Sequence, residues 1–346
     1  MPPPSARPRL WIKWRAYSGI PALAQGALHA YSLKMHRRHV LIAGPTAAGK
    51  SALAIRLAQT LNGVVINADS QQVYRAWRIL TARPTDEDIS QAPHRLFGHV
   101  DLDQDYSTGH WLDEVKREIE ACDGNSQTAI IAGGTGLYFK ALTEGLAEIP
   151  RTEAGTRERG EAALARLGLD AFRTELAMRD PETCRRIDIR NPRRVLRAWE
   201  VLETTGHGIA HWQDGTPPPV LPLEECLAIA LVPPRDWLYA RCEARFDRMI
   251  GAGALDEVRQ VLSLDLASTA PGLRAVGAPD LIAHERGETS LEDAVHSAKT
   301  ETRRYAKRQL TWIRNQMEAW QKLDPSDSGA IEAFCASLET SVTADP

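Results

Sequence analysis

A glycine-rich stretch, GPTAAGKS, carries the clearest chemical signal in the sequence. Gly44 and Gly49 are followed by Lys50 and Ser51 and match the pattern G-x-x-x-x-G-K-[ST]. In such a loop backbone N–H groups surround an anion, the lysine adds a positive charge, and the serine hydroxyl can bind Mg²⁺. The pattern predicts a diphosphate site with a magnesium ion held by Ser51, but it does not say which phosphorylated molecule binds.

A carboxylate follows the next apolar run, in the stretch NADSQQVYR. Asp69 and Ser70 come at the carboxyl end of the predicted strand VVIN, beside the phosphate loop. Ligands of open α/β sheets bind at that edge, so Asp69 is placed to act as a general base or to hold a metal. The structural alternative is a cap for the next helical turn. Gln71 and Gln72 add amide groups that suit the edge of a nucleobase.

Two other functions remain open from these motifs. Enzymes that move a phosphoryl group usually carry an aspartate at the end of a second apolar strand, but the strand TAIIA ends in Gly133-Gly134. A P-loop small-molecule kinase using ATP stays an alternative, because residues 151–218 could imitate its arginine-bearing lid. A non-enzymatic RNA-binding protein with a vestigial loop is a second alternative, which the intact phosphate loop together with Asp69 disfavours.

An α/β core is needed to bring these residues together. Apolar strands alternate with helices over residues 37–150, which predicts a P-loop NTPase-like core with a parallel sheet flanked by helices. Residues 151–218 show helical periodicity and predict an all-helical insertion. Residues 219–325 return to the core through the strand CLAIALV and basic helices, and 326–346 are expected to form a loosely held polar tail. Residues 1–36 are expected to be a disordered or non-native extension.

Composition limits the partners of the protein. The formal net charge is -3, so any nucleic-acid surface must be a local patch. Two basic clusters, 179–197 and 303–314, are candidates for such a patch, and the second has Tyr305 and Trp312 interleaved. The alternative is a pair of solvated, salt-bridged helices. No apolar run approaches the ~20 residues of a membrane span, and five scattered cysteines favour a cytoplasmic, reducing setting.

Seven ordered blocks make the sequence resemble the tRNA dimethylallyltransferases, also called tRNA isopentenyltransferases. They run from about 39 to 316 and read GPTAAGKS, NADSQQVYR, ILTARPT, PHRLFGHVD, IAGGTGLYFKALTEGL, IRNPRRVLRAWEV and YAKRQLTWIRN. The resemblance implies that the loop holds dimethylallyl diphosphate and that its dimethylallyl group passes to N6 of adenosine 37, beside the tRNA anticodon, as pyrophosphate leaves. It also implies a tRNA-contacting role for the helical insertion 151–218, Mg²⁺ as cofactor, a monomer, and a bacterial type of enzyme, since no C-terminal zinc finger is seen.

The resemblance assigns roles to single residues. Asp69 becomes the base that takes the N6 proton, and Thr135 contacts the reacting base or the diphosphate, with helix capping as its structural alternative. Arg245 corresponds to a family arginine on the diphosphate, against the alternative of a solvated helix face. The expected diphosphate contacts are Gly44, Pro45, Thr46, Ala47, Ala48, Gly49, Lys50, Ser51 and Arg245. The expected tRNA contacts are Asp69, Ser70, Gln71, Gln72, Thr135, Arg157, Arg193, Arg194, Val195, Leu196 and Arg197.

The target base must leave the anticodon loop to reach the core. We therefore expect a channel between the insertion and the core, entered by adenosine from one side and by the prenyl diphosphate from the other. The chain departs from the family near this channel. Where the family often reads QVYRGMDIGTAKP, this chain reads QVYRAWRILTARP, with Trp77 and Leu80 in the altered loop, and Ala278 stands where tyrosine is common. These changes affect fine specificity and not the reaction class.

Overall fold

The computed structural model describes residues 39–153 and 155–343, so the predicted extension 1–36 lies outside the described residues. The strands are β1 (His39–Ala43), β2 (Gly63–Asn67), β3 (His94–Arg95), β4 (Thr128–Gly133), β5 (Cys226–Leu231) and β6 (Gln321–Leu323). The first helices are α1 (Lys50–Thr60), α2 (Asp86–Gln91), α3 (Thr108–Gly124), α4 (Gly136–Glu144), α5 (Thr156–Arg179), α6 (Pro181–Arg186), α7 (Pro192–Thr205) and α8 (Ile209–Asp214). They are followed by α9 (Arg235–Gly251), α10 (Ala254–Leu262), α11 (Ala278–Glu285), α12 (Leu291–Gln316) and α13 (Ser328–Thr343).

The six strands form one parallel sheet in the order β3-β2-β4-β1-β5-β6. β1 lies between β4 and β5, and every residue of β1, β2 and β5 is buried. Strands covered on both faces read as continuous apolar runs, which explains the sequences HVLIA, GVVIN and CLAIAL. The predicted α/β core is confirmed. The edge strands β3 and β6 have two and three residues and are too short for a periodicity signal.

Helices cover both faces of this sheet. One face packs against α3, α4 and the end of α12, with Trp111, Phe139 and Ile313 at its centre. The other face packs against α1 and α13. No helix in the described ranges is long and apolar enough to cross a membrane.

The C-terminal segment corrects one expectation. Residues 326–346 were expected to form a loose polar tail, but α13 packs Phe334, Cys335 and Leu338 into the apolar layer beside α1. Arg56 of α1 also pairs with Glu332 at 2.7 Å. The larger apolar residues Phe334, Cys335 and Leu338 share one helical face, which anchors a segment whose exposed side is made of polar residues and small alanines.

The segment between α4 and β5 forms the predicted helical insertion. Helices α5 to α8 pack around a core of their own that includes Phe172, Leu176, Val195 and Trp199. The chain leaves helical geometry once within α5, at Gly168, where φ is 75° and ψ is 162°. Glycine reaches this conformation without strain, so the helix is broken there.

Candidate active site

The phosphate loop joins β1 to α1 and is held open by its backbone. Ala47 and Gly49 have left-handed φ values of 64° and 92°. Gly49 is the N-cap of α1 and supplies no side-chain cap, so the first N–H groups of the helix remain available to an anion. Lys50 Nζ donates to Pro45 O at 2.8 Å, which folds the ammonium group back over the loop.

A cavity of 420 Å³ opens in front of this loop at the carboxyl edge of the sheet. Asp69, Ser51 and the loop 79–85 line it together with a group of basic side chains. These basic residues are Lys50, Arg83, Arg241, Arg245 and Arg248. Burial lowers the pKa of Lys50 to about 8, although the Asp69 carboxylate opposes this shift. A bound diphosphate would supply the negative charge that the cavity lacks.

Helix α9 places two arginines over the phosphate loop. Arg245 Nη1 donates to Thr46 Oγ1 at 3.4 Å, and Arg241 Nε donates to Ala47 O at 3.0 Å. Burial lowers the pKa of Arg245, and the nearby Asp69 opposes that shift. Arg245 therefore lies against the loop rather than on a solvated helix face, and its guanidinium is placed to bind a diphosphate.

Asp69 follows β2 in a tight turn. Its backbone N–H donates to Asn67 Oδ1 at 2.8 Å, and its own Oδ1 accepts from the Gln71 N–H at 3.0 Å. Asp69 thus accepts a hydrogen bond from the backbone of the following turn, as the capping alternative expected, but it does so with one carboxylate oxygen. The other, Oδ2, has no hydrogen-bond partner in the described part of the chain. The same side chain lines the 420 Å³ cavity and a second, smaller one, so it is free to act as a base.

Thr135 joins Asp69's turn to the start of α4. Its Oγ1 accepts from the Ser70 N–H at 2.9 Å and donates to Ser70 Oγ at 3.2 Å. It occupies the N-cap position of α4 without making a capping hydrogen bond, so the capping alternative does not apply.

Sequence reasoning assigned Tyr305 only to a basic RNA-binding cluster. The structure brings it from α12 to the wall of the smaller cavity, where its phenol lies beside the side chains of Gln71 and Thr135. Burial and the nearby Asp69 charge raise its pKa, so the phenol stays neutral. The sequence signal was an aromatic residue amid cations, which by itself indicates base stacking and not this position.

Gln309 is a second residue that sequence reasoning missed. Its Oε1 accepts from the Thr46 N–H at 2.8 Å, and its Nε2 donates to Gly134 O at 3.0 Å. A Cβ on Gly134 would lie 2.0 Å from that Nε2, so any larger residue here would push the Gln309 amide out of its present position. The sequence does contain a signal. Gln309 comes three residues after Ala306 and four before Ile313, so it occupies a position of α12 where an apolar residue is expected.

The end of β4 cannot carry the aspartate of a phosphotransferase. A Cβ added to Gly133 would meet Ala68 O at 2.0 Å. Real side chains do not approach a backbone oxygen so closely, and the Thr135 N–H to Ala68 O bond at 3.1 Å keeps the two segments together. The packing of Gly133 against Ala68 therefore leaves no space for a carboxylate side chain at this position.

The loop after the Asp69 turn is held from two sides. Glu257 of α10 accepts from the N–H groups of Arg78, Ile79 and Leu80 at 2.5, 2.8 and 2.9 Å. Gln72 Nε2 donates to the carbonyl oxygens of Thr81 and Ala82. The amide nitrogen of Gln72 thus positions this loop, and its Oε1 is left for the nucleobase contact that the sequence suggests, which stays a prediction.

Gln71 is also engaged within the protein. Its Oε1 accepts from the Val276 N–H at 3.0 Å, and its amide contacts the Tyr305 phenol. Gln71 and Ser70 still lie next to Asp69 and Thr135, as the motif predicted.

A groove of 960 Å³ runs between the insertion and α12. Its basic residues are Lys140, Arg186, Arg190, Arg194, Arg304, Lys307 and Arg308. Arg186, Arg190 and Arg304 are paired with acids on their own helices or neighbouring turns. Within the described ranges, Arg194 and Lys307 have no ion pair. Phosphates bind readily to such uncommitted cations.

The groove lies next to Tyr305. Arg308 stacks over the Tyr305 ring at 5.7 Å, and Trp312 lines the groove next to it. Tyr305 lines the smaller cavity, so Arg308 and Tyr305 connect the wall of the groove to the wall of that cavity.

The predicted tRNA contacts of the insertion do not all reach the groove. Arg193 and Arg194 are exposed, but Val195 and Leu196 are buried at 0% and 7% exposure in the core of the insertion. Their side chains cannot touch an RNA in this arrangement, which corrects that expectation. The motif PRRVLR alternates solvent-facing arginines with apolar residues of a helix.

Two other predicted arginines make contacts within the insertion. Arg157 pairs with Glu161 at 3.0 Å. Arg197 donates to Thr152 Oγ1 at 2.5 Å and pairs with Glu200 at 3.3 Å. Binding RNA through either would require these contacts to be exchanged.

The oxygen ligands of the large cavity fit a magnesium ion. Ser51 is exposed on the wall of this cavity, and Asp69 lines the same cavity from the end of β2. No group of three or more His, Cys, Asp or Glu that could hold a metal occurs among the described residues. An ion here would take its remaining ligands from water and a diphosphate, as Mg²⁺ commonly does.

Comparison with known proteins identifies the family. The IPP transferase family model matches residues 72–316. The tRNA dimethylallyltransferase of Cereibacter sphaeroides (strain KD131) is 52% identical over 286 residues, which cover 83% of this chain and 88% of that relative. The tRNA dimethylallyltransferase of Dinoroseobacter shibae is 51% identical over 84% of this chain and 95% of its own.

Solved structures agree with these relatives. The tRNA isopentenylpyrophosphate transferase of Bacillus halodurans has a TM-score of 0.62 at 31% identity, covering 89% of this chain and 99% of that one. A eukaryotic dimethylallyltransferase acting on tRNA has a TM-score of 0.75 at 26% identity, covering 90% and 80%. Because the family model covers more than two thirds of the chain and relatives at about 50% identity cover more than four fifths of it, this chain belongs to the IPP transferase family.

Proposed function

We propose that this protein transfers the dimethylallyl group from dimethylallyl diphosphate to N6 of adenosine 37 of tRNA, giving N6-isopentenyladenosine and pyrophosphate. The observation that carries the proposal is the position of Asp69 on the wall shared by two cavities, one of which contains the phosphate loop. Relatives of high identity that are named tRNA dimethylallyltransferase support the same enzyme class.

The chemistry needs a base because the N6 lone pair of adenine is delocalised into its ring. As the bond from N6 to C1 of the prenyl group forms, the C1–O bond breaks and its electron pair leaves with pyrophosphate. Asp69 takes the N6 proton in the same step, an effect worth roughly 10²–10⁴-fold in rate. Ser70 and Thr135, bonded to each other beside Asp69, are placed to orient the base.

The leaving pyrophosphate carries the developing negative charge. Backbone N–H groups of the phosphate loop, Lys50 and Arg245 surround its site and need not reorganise as the charge develops. Ser51 would hold Mg²⁺, which when bound neutralises part of the diphosphate charge. The ammonium group of Lys50 is already folded over the loop, where it can offset this charge.

The groove between the insertion and α12 supplies a path for the RNA. Arg194 and Lys307 are placed to bind phosphates, while Trp312 offers a stacking surface. Turning the adenosine out of the anticodon loop would bring its N6 past Tyr305 toward Asp69. We further propose that the protein acts as a monomer in the cytoplasm, where its five free cysteines would stay reduced.

A kinase is not favoured. The end of β4 has no space for the metal-binding aspartate that such enzymes use, since Gly133 packs directly on Ala68 O. Prenyl transfer moves no phosphoryl group and does not need that residue.

Incubation with labelled dimethylallyl diphosphate and unmodified tRNA tests the proposal directly. Digestion to nucleosides should place the label in N6-isopentenyladenosine, with pyrophosphate released in equal amount. Unlabelled ATP in place of the prenyl diphosphate serves as the control and should give no modified nucleoside. Label that never enters the tRNA, or ATP whose terminal phosphate is transferred to an acceptor, would contradict the proposal.

A further inference from the structure

A second cavity lies directly behind Asp69. It has a volume of 40 Å³ and shares five wall residues with the large one. The shared residues are Thr46, Asp69, Thr81, Arg245 and Met249. Because the two spaces are continuous at the phosphate loop, a group in the small cavity can be covalently attached to a diphosphate in the large one.

Apolar side chains form the far end of this cavity. Leu80 and Phe246 line it without touching the large cavity, and Val276 and Cys242 complete the apolar wall. The two larger side chains meet over Gly277, whose added Cβ would lie 3.5 Å from Leu80 Cδ1 and 2.9 Å from Phe246 Cε2. The end of the cavity is therefore closed by packed hydrocarbon.

The position of Leu80 is fixed by its backbone. Its N–H donates to Glu257 Oε2 at 2.9 Å, and the next residues are held by Gln72. Leu80 is 5% exposed and packs in the cluster around Trp77 and Phe246. A side chain anchored in this way cannot swing aside to admit a longer ligand.

We propose that the small cavity holds the five-carbon chain of the prenyl diphosphate and that Leu80, with Met249, limits the length of chain that the enzyme accepts. This inference rests on the proposed function. A space of 40 Å³ has room for about three water-sized groups, which suits the three carbons at the branched end of a five-carbon chain whose first two carbons stay beside Asp69. A ten-carbon chain would have to displace Leu80.

The adenine ring is the other group that could occupy this space. Ser70 and Thr135, which face the RNA groove through Tyr305, line neither cavity among the described residues. Gln71, Thr302 and Tyr305 form the polar side of the small cavity, and a base that passes Tyr305 reaches Asp69 from that side. The apolar wall of Leu80, Phe246 and Val276 is thereby left to the prenyl chain.

Chain-length selectivity tests the inference. The double variant Leu80→Ala, Met249→Ala removes about six side-chain heavy atoms, close to the five carbons that geranyl diphosphate adds. The wild-type protein should prefer dimethylallyl over geranyl diphosphate by about 100-fold or more in kcat/KM on tRNA. The double variant should raise the geranyl-to-dimethylallyl ratio at least about 10-fold and yield a geranylated nucleoside by mass spectrometry.

Val261→Ala is the matched control, since Val261 lies in the same apolar cluster but lines neither cavity. It should lower stability without changing the ratio. Met249→Ala alone, at a half-buried position, should also raise the ratio and keeps the test open if Leu80→Ala unfolds. An unchanged ratio in folded variants that still transfer dimethylallyl would overturn the inference, as would a rise in KM for tRNA alone. A wild-type protein without dimethylallyl transfer would instead refute the proposed function.

Discussion

The side chain of Gln309 connects α12 to the phosphate loop through the backbone of Thr46. Its Oε1 accepts from the Thr46 N–H at 2.8 Å across 263 positions of sequence, and the same amide holds Gly134 O. The helix that carries the RNA-groove cations is thereby bonded to the loop expected to hold the diphosphate. The two substrate sites are thus connected by one buried amide.

Gln309→Ala should weaken this connection. The Thr46 N–H and Gly134 O lose their partner, which we expect to cost ~1–3 kcal/mol of unfolding free energy and to raise KM for dimethylallyl diphosphate. Urea denaturation and steady-state kinetics measure the two effects. His296→Ala, at an exposed position of the same helix, is the control and should change neither. An unaltered KM would show that the loop keeps its shape without Gln309.

Asp69→Asn should separate binding from chemistry. The amide keeps an oxygen that can accept from the Gln71 N–H but has no basic carboxylate, so turnover should fall by ~10²–10⁴-fold while tRNA binding stays near wild type. Filter binding and nucleoside analysis measure the two quantities. Asp103→Asn, on an exposed loop, is the matched control. A near-wild-type rate in Asp69→Asn would remove Asp69 from the role of base.

Lys50 should take up a proton when pyrophosphate binds. Burial holds its pKa at about 8 in the free protein, and the anion should raise it again, so binding above pH 8 is accompanied by proton uptake. Calorimetry in two buffers of different ionisation enthalpy measures this uptake. Lys50→Arg stays charged over this pH range, so its heat of pyrophosphate binding should be the same in both buffers. Equal heats for the wild-type protein in both buffers would contradict the lowered pKa.

The same group makes stability depend on pH. The unfolded chain keeps the Lys50 proton up to about pH 10.5, whereas the folded protein releases it near pH 8. Between these values unfolding takes up a proton, so the contribution of Lys50 to unfolding free energy becomes more favourable as pH rises. Comparing urea midpoints of the wild-type protein and Lys50→Met over this range isolates the contribution. A wild-type midpoint that falls faster than that of the variant would contradict the sign.

The unpaired cations of the groove should dominate the salt dependence of tRNA binding. Replacing Arg194 or Lys307 by alanine should weaken tRNA binding. It should also make the slope of log K for tRNA binding against log salt less steep by about 0.7 for each lost phosphate contact. Arg166→Ala, an exposed residue of the same insertion outside the groove lining, should leave the slope unchanged. Equal slopes for all three variants would place the RNA elsewhere.

Helix α13 should matter for stability. Phe334→Ala removes a ring that is 8% exposed and packed beside α1, and we expect a loss of ~3–5 kcal/mol. Thermal and urea unfolding measure it, with Ala336→Ser on the exposed face of the same helix as the control. A loss below that of the control would support the loose tail that the sequence suggested.

Local patterns predicted the core of the fold and of the site. GPTAAGKS, NADS and IAGGTG each follow an apolar run, and parallel strands bring such ends to one edge, where Asp69 and Thr135 do meet through Ser70. What local patterns could not supply were contacts made across the chain. Tyr305 and Gln309 reach the site from a helix read as an RNA-binding surface, and Glu257 holds residues 78–80 from another helix.

The mistaken assignments have a related cause. Val195 and Leu196 stand in a motif rich in arginine, yet a helix turns their side chains inward while the arginines face solvent. The amide nitrogen of Gln72 donates to two carbonyl groups of the loop that follows it, which leaves its Oε1 for a base. Residue type indicates chemical capability, and only the fold decides which partner uses it.

The position of β1 in the middle of the sheet has a consequence for synthesis. The strand leading into the phosphate loop is flanked by β4 on one side and by β5 on the other, and β5 follows the whole insertion in sequence. A chain leaving the ribosome therefore carries a bare apolar edge until Cys226–Leu231 has emerged. Nascent chains stalled within the insertion should be the species that trigger factor or another holdase captures.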